Sequence, residues 1–131
     1  MKINEFTRII QDLKKRKIPL EVKKTVEIMF DKKAEKITVL KLKGISQMTD
    51  YIVICQVNSG RQNQAVASHI RESLKKEFRL NPFGMEGEQK ADWILVDYVD
   101  FIVNIFLPEI RERFAIEKLW MDAKRYDFYS S

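Results

Sequence analysis

The sequence predicts one α/β domain in which helices pack on a mixed β-sheet, and three observations support this class. The chain has 131 residues, close to the size of one domain. Hydrophobic residues make up 45% of it and charged residues 33%, a balance that indicates a packed core rather than disorder. Helical and strand-like patterns also alternate along the chain, in the order ααββαββα.

Two short helices are predicted at the N-terminus. The first carries apolar residues at helical spacings of three and four, namely Ile3, Phe6, Ile10 and Leu13. Pro19 suits the first turn of the second helix, because a residue there needs no amide hydrogen bond. The apolar stripe of this second helix contains Val22, Val26 and Met29 or Phe30.

The strands are predicted from runs of β-branched and alternating apolar residues. Residues 37–42 form one strand, and the nearly continuous apolar run at 51–57 is typical of a strand in the centre of a sheet. Residues 93–98 and 101–106 are spaced for a hairpin. The sheet is therefore expected to contain four strands.

Capping and turn residues predict the remaining helices. Asn58 or Ser59 is placed to cap a helix with a continuous apolar stripe. Its members are Val66, Ile70, Leu74 and Phe78. Pro108 opens a last short helix that runs to Trp120, and the polar tail from Asp122 is expected to fray.

Charge is divided unevenly along the chain. Residues 1–43 contain 13 Lys and Arg and six Asp and Glu, so the net charge of +5 arises in the first third. Residues 84–107 instead contain five acids and one base. The basic end favours nucleic acid as a partner, and the acidic segment favours a basic one.

Few residues suit catalysis or metal binding. One cysteine and one histidine exclude a disulfide, a cysteine cage and a multi-histidine site. Cys55 fits a small buried hydrophobe, and His69 a partly exposed helix residue. No Asp-x-Asp pair and no paired nucleophile and base are present, so we predict no catalytic residue, metal or cofactor.

A location in the cytoplasm is expected. No stretch approaches the roughly 18–20 uncharged apolar residues that cross a bilayer, so no membrane association is predicted. The first five residues also lack the apolar core of a signal peptide.

The acidic hairpin has two interpretations. Its acids and aromatic rings could form a partner-binding patch, or the acids could be solvated and the rings part of the core. Strand alternation places Trp93 and Asp97 on one face and Tyr98 on the other. The basic run Lys14, Lys15, Arg16 and Lys17 likewise suits either weak contact with RNA phosphates or a solvated helix end.

Several motifs, in order, resemble the ribosomal silencing factor family, also called Iojap-like. They are Asp31-Lys32-Lys33-Ala34, Thr49-Asp50-Tyr51-Ile52-Val53-Ile54, Asn58-Ser59-Gly60-Arg61, Glu86-Gly87, Trp93-Ile94-Leu95-Val96-Asp97-Tyr98, Phe106-Leu107-Pro108-Glu109-x-Arg111 and Glu117-x-Leu119-Trp120. The resemblance divides the chain into a helical extension at 1–22, the family domain at 23–122 and a polar tail at 123–131.

The resemblance implies a nucleotidyltransferase-like fold without catalytic acids, and a function that is not enzymatic. It implies binding to the large ribosomal subunit through its protein L-fourteen, which blocks joining of the small subunit and represses translation. Eight residues are predicted to contact the partner: Glu86, Trp93, Asp97, Tyr98, Asp100, Arg111, Glu117 and Trp120. Three positions depart from the family pattern, with Asn104 in place of His, Val99 in place of Gly and Phe114 in place of Tyr.

Three other possibilities stay open. The chain could be a nucleotide-handling enzyme that uses Glu86, Asp97 and Asp100, or an RNA-binding adaptor that uses its basic N-terminus. An exposed hairpin edge would support a homodimer of the free protein.

Overall fold

The computed structural model describes residues 2–129, and the surroundings of side chains from residue 6 onward. Five helices and six strands follow one another along this part of the chain. They are α1 (Lys2–Lys15), α2 (Leu20–Asp31), β1 (Glu35–Lys41), β2 (Tyr51–Gln56), α3 (Gly60–Phe78), β3 (Gly84–Glu86), β4 (Trp93–Asp97), β5 (Phe101–Phe106), α4 (Pro108–Phe114), α5 (Ile116–Leu119) and β6 (Lys124–Asp127).

The strands form one mixed sheet in the order β3-β4-β5-β2-β1-β6. Strands β2 and β5 are parallel, and every other neighbouring pair is antiparallel. The central position of the apolar run in β2 is confirmed, as is the β4–β5 hairpin. Because both neighbours of β2 are strands and both of its faces are covered, its residues from Tyr51 to Cys55 are all buried.

One face of the sheet, here called the covered face, packs against the three N-terminal helices. Alternate strand residues such as Val39, Val53 and Ile105 point into this layer and are fully buried. They join α2 and α3 residues, including Val26 and Leu74, in one large apolar cluster. Burial on this scale is the main source of folding free energy.

The opposite face is covered over only part of its width. A smaller cluster, centred on Leu40, Ile54 and Phe106, packs beneath α4 and α5. Beyond it, apart from buried Asn104, the side chains of strands β3 to β5 on this side are half-buried or exposed. We call this region the open face; it comprises Glu86, Trp93, Leu95, Asp97 and Ile102.

Three predictions about the elements need correction. The tail does not fray after Asp122, because residues 124–127 form β6 and pair with β1 through Tyr126 and its neighbours. The short strand β3 adds a further edge to the sheet. The single last helix is two helices, since Ala115 takes a left-handed conformation with φ of 43° that ends α4.

Candidate docking surface

Trp93 is the fixed aromatic group of the open face. Its indole Nε1 donates a hydrogen bond to Oδ1 of buried Asn104 at 3.0 Å. The indole contacts two rings, with centroid distances of 5.0 Å to Phe106 and 4.9 Å to Phe114. Because these three contacts set its orientation, the half-buried indole presents a constant surface to solvent.

Two acidic residues lie on the same face of the sheet as Trp93. Glu86 is exposed and pairs with Leu95, while Asp97 pairs with Ile102. The apolar side chains of Leu95 and Ile102 are half-buried, so acidic and apolar surface alternate across three strands. Asp100 is exposed in the β4–β5 turn beside this region.

The β4–β5 turn holds Val99 in an unfavourable conformation. Its φ is 72°, and the amide of Asp100 donates to the Tyr98 carbonyl at 2.8 Å, which closes a tight γ-turn. A β-branched residue is strained there, and glycine is not. Asp97 Oδ1 accepts a hydrogen bond from the Val99 amide at 2.8 Å, and the Thr49 hydroxyl donates one to the Val99 carbonyl at 2.9 Å. The turn at Val99 is therefore closed and contains strain.

Tyr98 does not belong to the open face. Its side chain is 4% exposed and stacks on Phe101 within the covered face, so its predicted contact with a partner finds no support in the geometry of this surface. The expected alternation of Asp97 and Tyr98 is confirmed. Burial raises the pKa of Tyr98 to about 12, and Arg71 opposes the rise.

Arg111 and Glu117 form an internal clamp. The Arg111 guanidinium is buried and donates to Glu117 at 2.9 Å, to the Lys36 carbonyl at 2.6 Å and to the Thr38 hydroxyl at 3.3 Å. Strand β1 has a bulge at Lys36, whose φ is 48°, next to the hydrogen bond that the Lys36 carbonyl accepts from Arg111. The contact of Arg111 with a partner stays a prediction, and most of its N–H donors are already bonded within the chain. Trp120 is half-buried against the smaller cluster.

The basic run lies at the other end of the sheet. Lys14, Lys15, Arg16 and Lys17 are exposed at and beyond the end of α1. The Arg16 guanidinium lies 5.7 Å from the ring of Tyr126 in edge strand β6 and pairs with Asp12. Strand β3 is the opposite edge, so the acidic and basic regions are separated by the width of the sheet.

Two family-like motifs have clear structural roles. Ser59 caps α3 by accepting a hydrogen bond from the Gln62 amide at 3.1 Å, as the sequence predicts. A Cβ at Gly87, whose φ is 86°, would overlap the Trp93 carbonyl. These residues shape the backbone around the open face. Within the described chain, no three His, Cys, Asp or Glu side chains cluster to suit a metal ion.

Three residues that shape the open face are not among the contacts predicted from the sequence. The strand alternation that places Trp93 and Asp97 on one face also places Leu95 and Ile102 there, so the sequence pattern was sufficient to predict these two residues. Phe114 gives no such signal, because it reaches Trp93 from α4 only after the chain has folded. Its ring is 49% exposed and extends the apolar part of the surface.

Comparison with known proteins decides the family. The family model described as "Ribosomal silencing factor during starvation" matches residues 15–130. This chain belongs to the ribosomal silencing factor family. It is 41% identical over 97 residues to the ribosomal silencing factor of Bacillus subtilis, covering 74% of this chain and 81% of that protein. The resemblance found in the sequence is therefore confirmed.

Further relatives extend this family assignment. A solved protein of Chromobacterium violaceum superposes with a TM-score of 0.73 at 30% identity, covering 77% of this chain and 83% of that one. The mouse protein named "Mitochondrial assembly of ribosomal large subunit protein 1" is 31% identical over 97 residues, covering 72% of this chain and 42% of the mouse protein. No helix in residues 2–129 has both the length and the apolar character that crossing a membrane requires.

Proposed function

We propose that this silencing factor docks on the large ribosomal subunit through the open face, with the subunit's protein L-fourteen as the contact. Docking there prevents the small subunit from joining and so represses translation. The effect is steric, and no catalytic step by this chain is involved. The protein acts in the cytoplasm, where ribosomes are assembled from their subunits.

The single observation that carries this proposal is a rigid indole on the open face with unpaired acids on that face and in the turn beside it. Trp93 is held by Asn104 and by two rings, so little conformational entropy is lost when a partner covers it. Glu86 and Asp100 are exposed and suit the basic surface of a ribosomal protein. The name of the mouse relative, which refers to the large ribosomal subunit, supports the choice of subunit.

Co-sedimentation with purified large subunits tests the docking surface. The variant Glu86→Lys with Asp100→Lys reverses two exposed charges without touching the hydrogen bond that the Asp97 carboxylate accepts from the Val99 amide. We expect it to fold as the wild type does and to lose at least about tenfold in affinity, because like charges would then face each other.

A matched variant separates the surface from the net charge. Asp31→Lys with Glu72→Lys makes the same change in net charge at exposed helical positions away from the open face. It should bind large subunits like the wild type and still block subunit joining. Equal losses of binding in both double variants would reject the open face as the docking surface.

The basic run supports a second, weaker contact with ribosomal RNA. Lys14, Lys15, Arg16 and Lys17 are exposed at the edge opposite β3, so they can reach RNA while the open face holds protein. Replacing the three lysines with Gln should reduce the salt dependence of large-subunit binding and leave its specificity intact. An unchanged salt dependence would exclude this contact.

A further inference from the structure

Exposed apolar side chains are concentrated in the loops at one end of the sheet, the end at which the parallel strands β2 and β5 begin. Nine large apolar side chains are exposed in the described chain, and five of them lie in these loops. They are Phe83 before β3, Val99 in the β4–β5 turn, Ile45 and Met48 between β1 and β2, and Met121 before β6. The loops at the opposite end contain none of the nine. Exposed apolar surface that is gathered in this way marks an interaction site.

Three of these side chains lie on loops that are hydrogen-bonded to their neighbours in the sheet. The Phe83 amide donates to the Asp97 carbonyl at 2.7 Å, and the Thr49 hydroxyl donates to the Val99 carbonyl at 2.9 Å. Phe83, Val99 and Met48 are 84%, 57% and 61% exposed. We call these three residues the apolar rim.

The apolar rim continues the open face. Asp97 belongs to the open face, and it accepts one hydrogen bond from the Phe83 amide and another from the Val99 amide. The apolar side chains of Leu95 and Ile102 within the open face are half-buried, whereas those of the rim project into solvent. A standard interface buries about 800 Å² on each partner and gains most of its affinity from a few apolar anchors. The rim therefore supplies exposed anchors beside the open face.

Charge separates the apolar rim from the rest of this end of the sheet. The rim segments 46–50, 80–83 and 97–100 contain three aspartates and no Lys or Arg. Residues 118–124, which contain exposed Leu119 and Met121, instead carry two lysines and one aspartate. The rim is thus acidic and apolar, as the open face is, and it complements a basic partner.

We propose that the apolar rim inserts into an apolar pocket, edged by basic side chains, on the ribosomal protein that the open face contacts. This inference rests on the proposed function. A protein suits the rim better than RNA does, because the phosphates of RNA would repel its aspartates. Phe83 is the main anchor. Pro82 fixes one backbone angle beside it and its amide is bonded to β4, so little freedom is lost on binding.

Co-sedimentation with purified large subunits tests the rim. Phe83→Ser with Met48→Ser should weaken binding at least about tenfold because two anchors are lost, and should keep the urea midpoint of the wild type because both side chains are exposed. Phe83→Leu with Met48→Leu keeps apolar anchors and should lose less than about threefold. Leu119→Ser with Met121→Ser is the matched control, which removes two exposed apolar side chains beside lysines and should bind as the wild type does.

The outcomes separate the rim from the open face. Wild-type binding by the Phe83 and Met48 serine variant, or equal losses in both serine variants, would overturn the rim alone if Glu86→Lys with Asp100→Lys still weakens binding. Weakened binding in the rim variant and full binding in the charge variant would support the rim and reject the open face. An absence of wild-type binding would overturn both.

A photoreactive side chain at position 83 identifies what the rim contacts. In complexes with large subunits, we expect it to cross-link to a ribosomal protein. Cross-links to ribosomal RNA alone would overturn the choice of a protein partner, and no cross-link from a chain that binds normally would overturn the rim.

Discussion

The covered face and the open face belong to the same sheet but are built by different interactions. On the covered face, alternate strand residues and three helices form one apolar cluster whose central members are fully buried. On the other side, α4 and α5 cover β1, β2 and the Phe106 end of β5, and a polar clamp centred on Arg111 joins α4 to β1. The rest of β3 to β5 is left largely accessible.

This difference separates stability from recognition. Residues that fold the chain are concentrated on the covered face and in the clamp, whereas Glu86, Leu95 and Ile102 contribute less burial and remain available to a partner. Substitutions on the open face should therefore change binding more than they change the free energy of unfolding. Four predictions, from the largest expected effect to the smallest, test this division.

Arg111→Ala should destabilise the protein by about 3–5 kcal/mol. The substitution removes a buried ion pair with Glu117 and the bonds to β1, and it leaves polar groups without partners. Urea unfolding measures the loss. Arg113→Ala, on the exposed side of the same helix, should change stability by less than about 0.5 kcal/mol. Similar losses for the two variants would show that the clamp does not hold α4.

Alkaline pH should destabilise the covered face through Cys55. Burial raises the pKa of this thiol from 9.0 to about 12, with Arg111 opposing the rise. The folded state therefore keeps a proton that the unfolded state loses. The free energy of unfolding is therefore unaffected by Cys55 below pH 9 and falls as the pH rises towards 12. The fall is about 4 kcal/mol, because the two states differ by one proton over three pH units.

Cys55→Ala is the control for this pH dependence. Its urea midpoint should fall less steeply than that of the wild type between pH 9 and 11, although its stability at pH 7 is lower because a small cavity is created. Parallel pH profiles for the two proteins would contradict the assignment to Cys55.

Trp93→Phe should cost about 1–3 kcal/mol, because it leaves Oδ1 of buried Asn104 without its donor. Thermal unfolding measures the change, and large-subunit binding should weaken in the same variant. Trp120→Phe is the comparison, since no side-chain hydrogen bond of Trp120 lies within the described chain. A larger loss of stability for Trp120→Phe would contradict the role given to the hydrogen bond between Trp93 and Asn104.

Val99→Gly should stabilise the protein by about 1 kcal/mol. Relief of backbone strain at φ of 72° exceeds the entropic cost of glycine at this position. Val99→Ala, which keeps a Cβ but removes the branch, should gain less. A lower unfolding midpoint for Val99→Gly would show that the turn is not strained in the way described.

Sequence patterns correctly predicted the helices and strands whose apolar residues recur at regular intervals and are buried. The run at 51–57 identified the central strand, and the alternation in 93–98 placed Asp97 and Tyr98 on opposite faces, as found. Strand β6 was missed because its charged residues suggested a frayed tail. The alternating Tyr126 and Phe128, both buried on the covered face, were the available signal.

The candidate surface was only partly predictable. Trp93, Asp97 and Glu86 follow from strand alternation and charge, but Arg111 resembles any exposed helical arginine in sequence. Its burial depends on the bulge at Lys36, 75 residues earlier, which turns a carbonyl towards it. The division into an extension at 1–22, a domain at 23–122 and a tail at 123–131 stays a prediction, as does a homodimer of the free protein.

The sequence by itself determined the mixed α/β class, the family and the separation of basic and acidic segments. These properties are local, since periodicity, motif order and charge are written in neighbouring residues. Tertiary structure alone decided which rings face solvent and that Arg111 is an internal clamp. The exposure of a side chain and its hydrogen-bond partners depend on which segments meet in space. These meetings arise only in the folded chain, where the two faces of the sheet are covered to different extents.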